Sequence, residues 1–252
     1  MLRGFTAPLS PTGRSSLVPA PPWHYAGTVF SVEYALPPAA AAGFLPAALG
    51  EATGRAVAHF CEWQSTSDGS ELLDPVYAQY KEFFVVLEAE RQGGRAFYCP
   101  FIYVDQDLSL LRGWLQGLPK KLGSVWLTRS YPLAHPAAAP PAAGTRLGAS
   151  LAVKDRRLAQ ATLTLTGEPG APKGFLEGGL HGLDAWSGDP AGRRVVRMAA
   201  EGHVLGPFHA ARADLEFLDA PRDELSALRP SSVGEAAVAT VAFTVTRVER
   251  GR

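Results

Sequence analysis

Apolar and polar residues alternate with a period of two along much of the chain. The segments Thr28 to Tyr34, Arg55 to Gln64, Glu82 to Glu90, Arg95 to Val104, Ser124 to Ser130, Arg146 to Val153, Leu158 to Thr166, Ala211 to Leu218 and Ala237 to Val248 each read as a β-strand. Turn chemistry joins two pairs of them. Gly93-Gly94 and Lys154-Asp155 suit tight hairpins, so antiparallel pairing follows. Helical signals are few: Pro37 to Leu49 is opened by proline and broken again at Pro46, and Asp105 to Gln116 carries apolar side chains at 108, 110, 111, 114 and 115 before stopping at Gly117. Residues 132–145 and 167–193, rich in Pro, Gly and Ala, read as loops, and residues 1–26 as an extended Pro-rich arm. The expected fold is mainly β with a few short helices (α+β), an antiparallel closed barrel or sandwich forming a single domain over residues 1–252.

Composition narrows the function by exclusion. With 46% hydrophobic and 19% charged residues the 252-residue chain is globular, and its 24 basic residues balance 24 acidic ones. No net field exists to attract nucleic acid or an anionic membrane surface. Two cysteines are too few for a disulfide framework, and the six histidines show no metal-ligand spacing. Phosphate-cradling and nucleophile-elbow motifs are absent as well, so neither a metal nor any other cofactor is expected. The N-terminal stretch has no apolar core of a signal peptide, and no segment approaches ~18 uninterrupted apolar residues, which reads as a cytoplasmic protein.

The basic residues are unevenly chosen. Only five of the 24 are lysines, at 81, 120, 121, 154 and 173, and two of these are adjacent. Lysine, unlike arginine, can lose its proton and attack a carbonyl, so the pair at 120–121 marks a place for chemistry. Its setting is Leu118-Pro119-Lys120-Lys121-Leu122-Gly123, with Tyr80-Lys81-Glu82 upstream and Ala213-Asp-Leu-Glu-Phe-Leu-Asp-Ala220 downstream. In these three stretches the chain resembles the acetoacetate decarboxylase family. That resemblance implies a Schiff-base enzyme whose ligand is a small keto acid or ketone, with an aldehyde as a second substrate in some branches, and which assembles as a homo-oligomer.

Residue by residue, the resemblance assigns the Schiff base to Lys120, its cationic neighbour to Lys121, and the acidic residue of the site to Glu82. A second family glutamate falls near Glu62. An unperturbed lysine is neutral about once in a few thousand at pH 7, and an adjacent ammonium raises that fraction, as in acetoacetate decarboxylase itself, the standard example of this device. One family feature is missing: the arginine that precedes the first strand would fall near Gly27, where the sequence reads His24-Tyr25-Ala26-Gly27-Thr28. Without that cation a neutral polar pocket is expected, with Gln116 presenting its amide to a carboxylate or hydroxyl. Such a pocket favours aldol condensation and dehydration of a pyruvate-like donor with an aldehyde. The alternatives are decarboxylation of acetoacetate or another β-keto acid, with a cation brought in by Arg112 or Arg129, and a ligand-binding or cyclase-like barrel whose lysine has no covalent role.

Overall fold

The alternating segments fold into strands that share one large sheet. In the computed structural model, which describes residues 1–185 and 192–248, the chain order is β1 (Trp23–Ala35), α1 (Pro38–Ala42), β2 (Glu51–Thr66), α2 (Pro75–Ala78), β3 (Gln79–Arg91), β4 (Gly94–Val104), α3 (Asp107–Leu115), β5 (Lys120–Leu122) and β6 (Ser124–Leu127). It continues with β7 (Arg146–Val153), β8 (Arg156–Pro169), α4 (Phe175–Gly178), β9 (His181–Asp184), β10 (Arg194–Arg197), β11 (Ala200–Leu205), β12 (His209–Phe217) and β13 (Ser232–Val245).

The hydrogen-bonded path runs β10-β9-β4-β3-β2-β1-β13-β12-β8-β7-β6, with β11 on β13 and β5 parallel to β4. The expected closed barrel is therefore corrected to an open ladder that ends, among the described residues, at β10 and β6. Closure is nonetheless approached, because β5, bonded to β4, passes through Gly123 directly into β6 at the opposite end of the path. Both hairpins form where the turn residues placed them, Lys154 and Asp155 adopting the positive φ of 48° and 64° that the tight turn requires.

Period-two alternation gives this sheet two buried faces. On β3, Phe83, Val85 and Leu87 join one core with Phe30, Phe60, Leu151 and Leu163, while Tyr80, Phe84 and Val86 join another with Tyr25, Trp63, Cys99 and Phe243. Glu82 is in register with the second set, so a carboxylate is carried into an aromatic core. The segment read as a loop over 167–193 contains α4 and β9, and its residues 186–191 lie outside the described residues. Short strands such as β5 and β9, of three and four residues, are held by backbone pairing and carry no periodicity of their own. Among the described residues no helix is long and apolar enough to cross a membrane.

Candidate active site

Lys120 reaches the second core by a reversal of the chain. Helix α3 ends at Leu115, Gly117 turns the backbone with φ 74°, the Leu118 amide bonds back to the Gly113 carbonyl, and Lys120 opens β5 beside Ile102 of β4. The lysine thus folds back over the helix that precedes it. Its aliphatic stem lies against Gly113 so closely that a Cβ there would stand 2.3 Å from Cδ, 2.5 Å from Cγ and 2.6 Å from Cε. The indole of Trp114 fixes the same turn by donating to the Lys120 carbonyl at 2.8 Å.

Only 7% of Lys120 is exposed, and its Nζ has two near neighbours. It donates to Ser109 Oγ at 2.9 Å and stands 2.6 Å from Glu82 Oε2. Trp63 Nε1 donates to the other oxygen, Glu82 Oε1, at 3.2 Å, whereas Oε2 has no aligned hydrogen-bond donor. Arg112, also buried, donates through Nη2 to Ser65 Oγ at 2.8 Å and leaves its Nε without an acceptor. Its guanidinium lies over the rings of Tyr25 and Tyr80, at 5.2 and 5.8 Å, and Lys120 Nζ lies 5.5 Å from the centre of the Tyr80 ring. Gln116 Nε2 donates to the Arg112 carbonyl at 3.0 Å, its side chain meets the Tyr25 hydroxyl, and its Oε1 is unpartnered.

These surroundings tune the lysine. Burial pushes the Lys120 amine below its ordinary value, Glu82 opposes that shift, and the Arg112 charge adds to it. Burial also raises the phenols of Tyr25 and Tyr80, which keeps both protonated as hydrogen-bond donors. A lysine whose amine is lowered by burial therefore faces a carboxylate, a guanidinium with an unpartnered Nε, an amide and two phenols. The set can form an imine, move a proton beside it and hold an anion.

Several expected placements are corrected. Lys121 follows Lys120 on a strand, so its side chain leaves by the opposite face, pairing with Asp223 and lying 4.8 Å from the Tyr103 ring. The cation acting on Lys120 is Arg112, one helix away, and not its sequence neighbour. Glu62 likewise alternates with Cys61 and Trp63 to the other face of β2, where it accepts a 2.9 Å bond from Arg129. With 60% of its side chain exposed, Arg129 is a surface partner of Glu62 and no substitute for the missing arginine. At Gly27 no side chain fits, since a Cβ would stand 2.2 Å from the Glu62 carbonyl and 2.5 Å from the Trp63 ring. Trp63 occupies that space. The surroundings of Lys120 nonetheless carry a cation, Arg112, so the expectation of neutral polar surroundings is overturned.

Ser109, Arg112, Gly113 and Gln116 had a common signal in the sequence. They stand at i, i+3, i+4 and i+7, the polar complement of the apolar positions of α3, and all four are buried. A helix that turns its polar stripe inward is lining something that needs it.

Comparison with known proteins gives the family. The family model for acetoacetate decarboxylase (ADC) matches residues 6–251. The chain belongs to the acetoacetate decarboxylase family. Among solved structures of this family's fold, the enduracididine biosynthesis enzyme MppR complexed with pyruvate is 33% identical, with a TM-score of 0.89 over 97% of this chain and 96% of that one. MppR complexed with the condensation product of pyruvate and imidazole 4-carboxaldehyde matches equally, at 33% identity and a TM-score of 0.89 over 97% of this chain and 95% of that one. An acetoacetate decarboxylase-like enzyme from Sphingomonas wittichii RW1 is 25% identical, with a TM-score of 0.87 over 99% of both chains. No curated protein sequence matches the chain.

Proposed function

We propose that this acetoacetate decarboxylase family member is a Schiff-base lyase that condenses a pyruvate-like α-keto acid with an aldehyde and dehydrates the product. The observation that carries the reading is the buried trio of Lys120, Glu82 and Arg112 on one face of the sheet. Lys120 passes a proton to Glu82 and adds to the keto carbon as the neutral amine; one proton from nitrogen and the one returned by Glu82 carry the carbonyl oxygen away as water, leaving an iminium and the Glu82 carboxylate. Glu82 Oε2, beside Nζ and without an aligned donor, takes a proton from the adjacent methyl carbon. The C–H electron pair becomes the enamine double bond, and the iminium π pair moves onto nitrogen. The enamine carbon then attacks the aldehyde, whose oxygen takes up the proton from Glu82. Removal of a second proton expels that oxygen as water, with the Gln116 amide and the Tyr25 phenol beside it, and hydrolysis of the iminium frees Lys120.

Arg112 brings the cation that the sequence lacks at Gly27, and its unpartnered Nε can anchor a substrate carboxylate on either route. What favours condensation is that MppR has been solved with pyruvate and with a pyruvate–aldehyde condensation product. Strict decarboxylation is the second reading, favoured by the Lys–Glu contact within a family defined by that activity. The test incubates the enzyme with pyruvate and an aromatic aldehyde, following the absorbance of the conjugated product, and in parallel with acetoacetate, following CO2. Condensation without rapid CO2 release is expected; the reverse outcome restores the decarboxylase.

A further inference from the structure

The contacts of Nζ raise a question of hydrogen count that the reaction has to answer. An ammonium on Lys120 has three hydrogens for its two neighbours, Ser109 Oγ at 2.9 Å and Glu82 Oε2 at 2.6 Å. Imine formation removes two of them: R–NH3+ and the keto oxygen give R–NH+=C and water. One N–H remains, and the two neighbours compete for it. If Glu82 took it, the carboxylate would be tied to the iminium in the plane of the C=N bond and would be a poor base for the methyl proton that has to leave next.

In the resting site Nζ donates to Ser109 at 2.9 Å and pairs with Glu82 Oε2 at 2.6 Å, so both acceptors lie within reach of the N–H that remains. Ser109 is wholly buried on α3, and its oxygen accepts from Nζ. The serine thus presents an oxygen lone pair to the nitrogen. Ser109 is not needed for the steps given to Lys120, Glu82 and Arg112, so this contact is otherwise unexplained.

We infer that Ser109 is the positioning residue that accepts the iminium N–H after Schiff-base formation, leaving the Glu82 carboxylate free to abstract the α-proton. The inference rests on the Schiff-base reading and deepens it. It also fixes the rotation of the imine about the Cε–Nζ bond, and hence which side of the C=N the substrate methyl occupies relative to Glu82.

The test measures two partial reactions of pyruvate on the full-length wild type and on Ser109→Ala. One is cyanoborohydride trapping of the Lys120 adduct, read by intact mass; the other is exchange of the pyruvate methyl hydrogens for deuterium from solvent, read by proton NMR. Ser109→Ala is expected to retain adduct trapping within a few-fold of wild type while methyl exchange falls at least tenfold, since Glu82 is captured by the unpartnered N–H. A purely structural serine would lower trapping and exchange together, and that parallel loss overturns the inference, as does wild-type exchange in Ser109→Ala. If wild type itself forms no adduct on Lys120, the Schiff-base reading fails, and the role of Ser109 with it; a wild-type adduct with unaltered Ser109→Ala exchange sinks the serine role alone.

Discussion

Substituting Gly113 by alanine probes the site without touching a single polar group. On an exposed helix the change would be favourable by ~1 kcal/mol, because alanine has the higher helix propensity. At Gly113 the new Cβ would fall 2.3–2.6 Å from three successive carbons of the Lys120 stem, far inside the ~3.5–4.0 Å of ordinary carbon contact. The stem has to move by about 1 Å, and overpacking of this size costs ~1–3 kcal/mol, partly offset by propensity. The net loss of stability is therefore small, ~0–2 kcal/mol, and the fold should survive. Nζ, however, leaves its positions 2.9 Å from Ser109 and 2.6 Å from Glu82, and a misplacement near 1 Å costs on the order of 10²-fold in rate. The assay pairs cyanoborohydride trapping of pyruvate with a urea melt. Adduct formation is expected to fall about 100-fold with a midpoint close to wild type. Trapping at the wild-type rate would refute the packing of Lys120 on α3.

Arg112→Met should raise the KM for pyruvate by ~10–100-fold, from the loss of a charge-assisted contact of ~1.5–3 kcal/mol. It should also move the pH profile of trapping upward, since the Arg112 charge helps to lower Lys120; initial-rate kinetics and pH-dependent trapping check the two effects. Lys121→Ala should leave that pH profile in place, because its ammonium pairs with Asp223 on the opposite face; an upward shift would return the neighbouring lysine to the site. His59, wholly buried between Phe84 and Phe175, has its imidazole lowered by burial from 6.5 to about 3, so the unfolded chain takes up its proton first as pH falls. Its contribution is full above pH ~6.5 and is lost toward pH ~3, up to about 5 kcal/mol in all, so His59→Phe should flatten the decline of stability across that window in chemical melts.

The strands were legible because a sheet with two buried faces imposes a period of two on its long members, and Arg146–Val153 emerges with the boundaries read from the sequence. What pattern could not give was the direction of side chains around the motif. Lys120-Lys121 looks like a pair in one dimension, yet a strand sends its two ammonium groups to opposite faces, and the charge beside Lys120 comes from α3. Glu62 fails for the same reason, one residue out of phase with Trp63. The helix is found from its apolar positions, of which Leu108 joins the core, but those positions give no sign of the site: Ser109, Arg112, Gly113 and Gln116 form a second buried stripe that faces Lys120 and Tyr25. The missing arginine at Gly27 was read correctly as an absence and wrongly as a neutral pocket. Only the fold could reveal that Trp63 fills that space and that Arg112 approaches from another element.

The central claim is that Lys120 forms a covalent imine with an α-keto acid. Cyanoborohydride reduction of the wild-type enzyme with pyruvate, followed by intact mass and peptide mapping, tests it most directly. The account predicts one reduced pyruvyl adduct per chain, located on Lys120 and absent from Lys120→Ala. No adduct under conditions of turnover, or an adduct retained in Lys120→Ala, would contradict it.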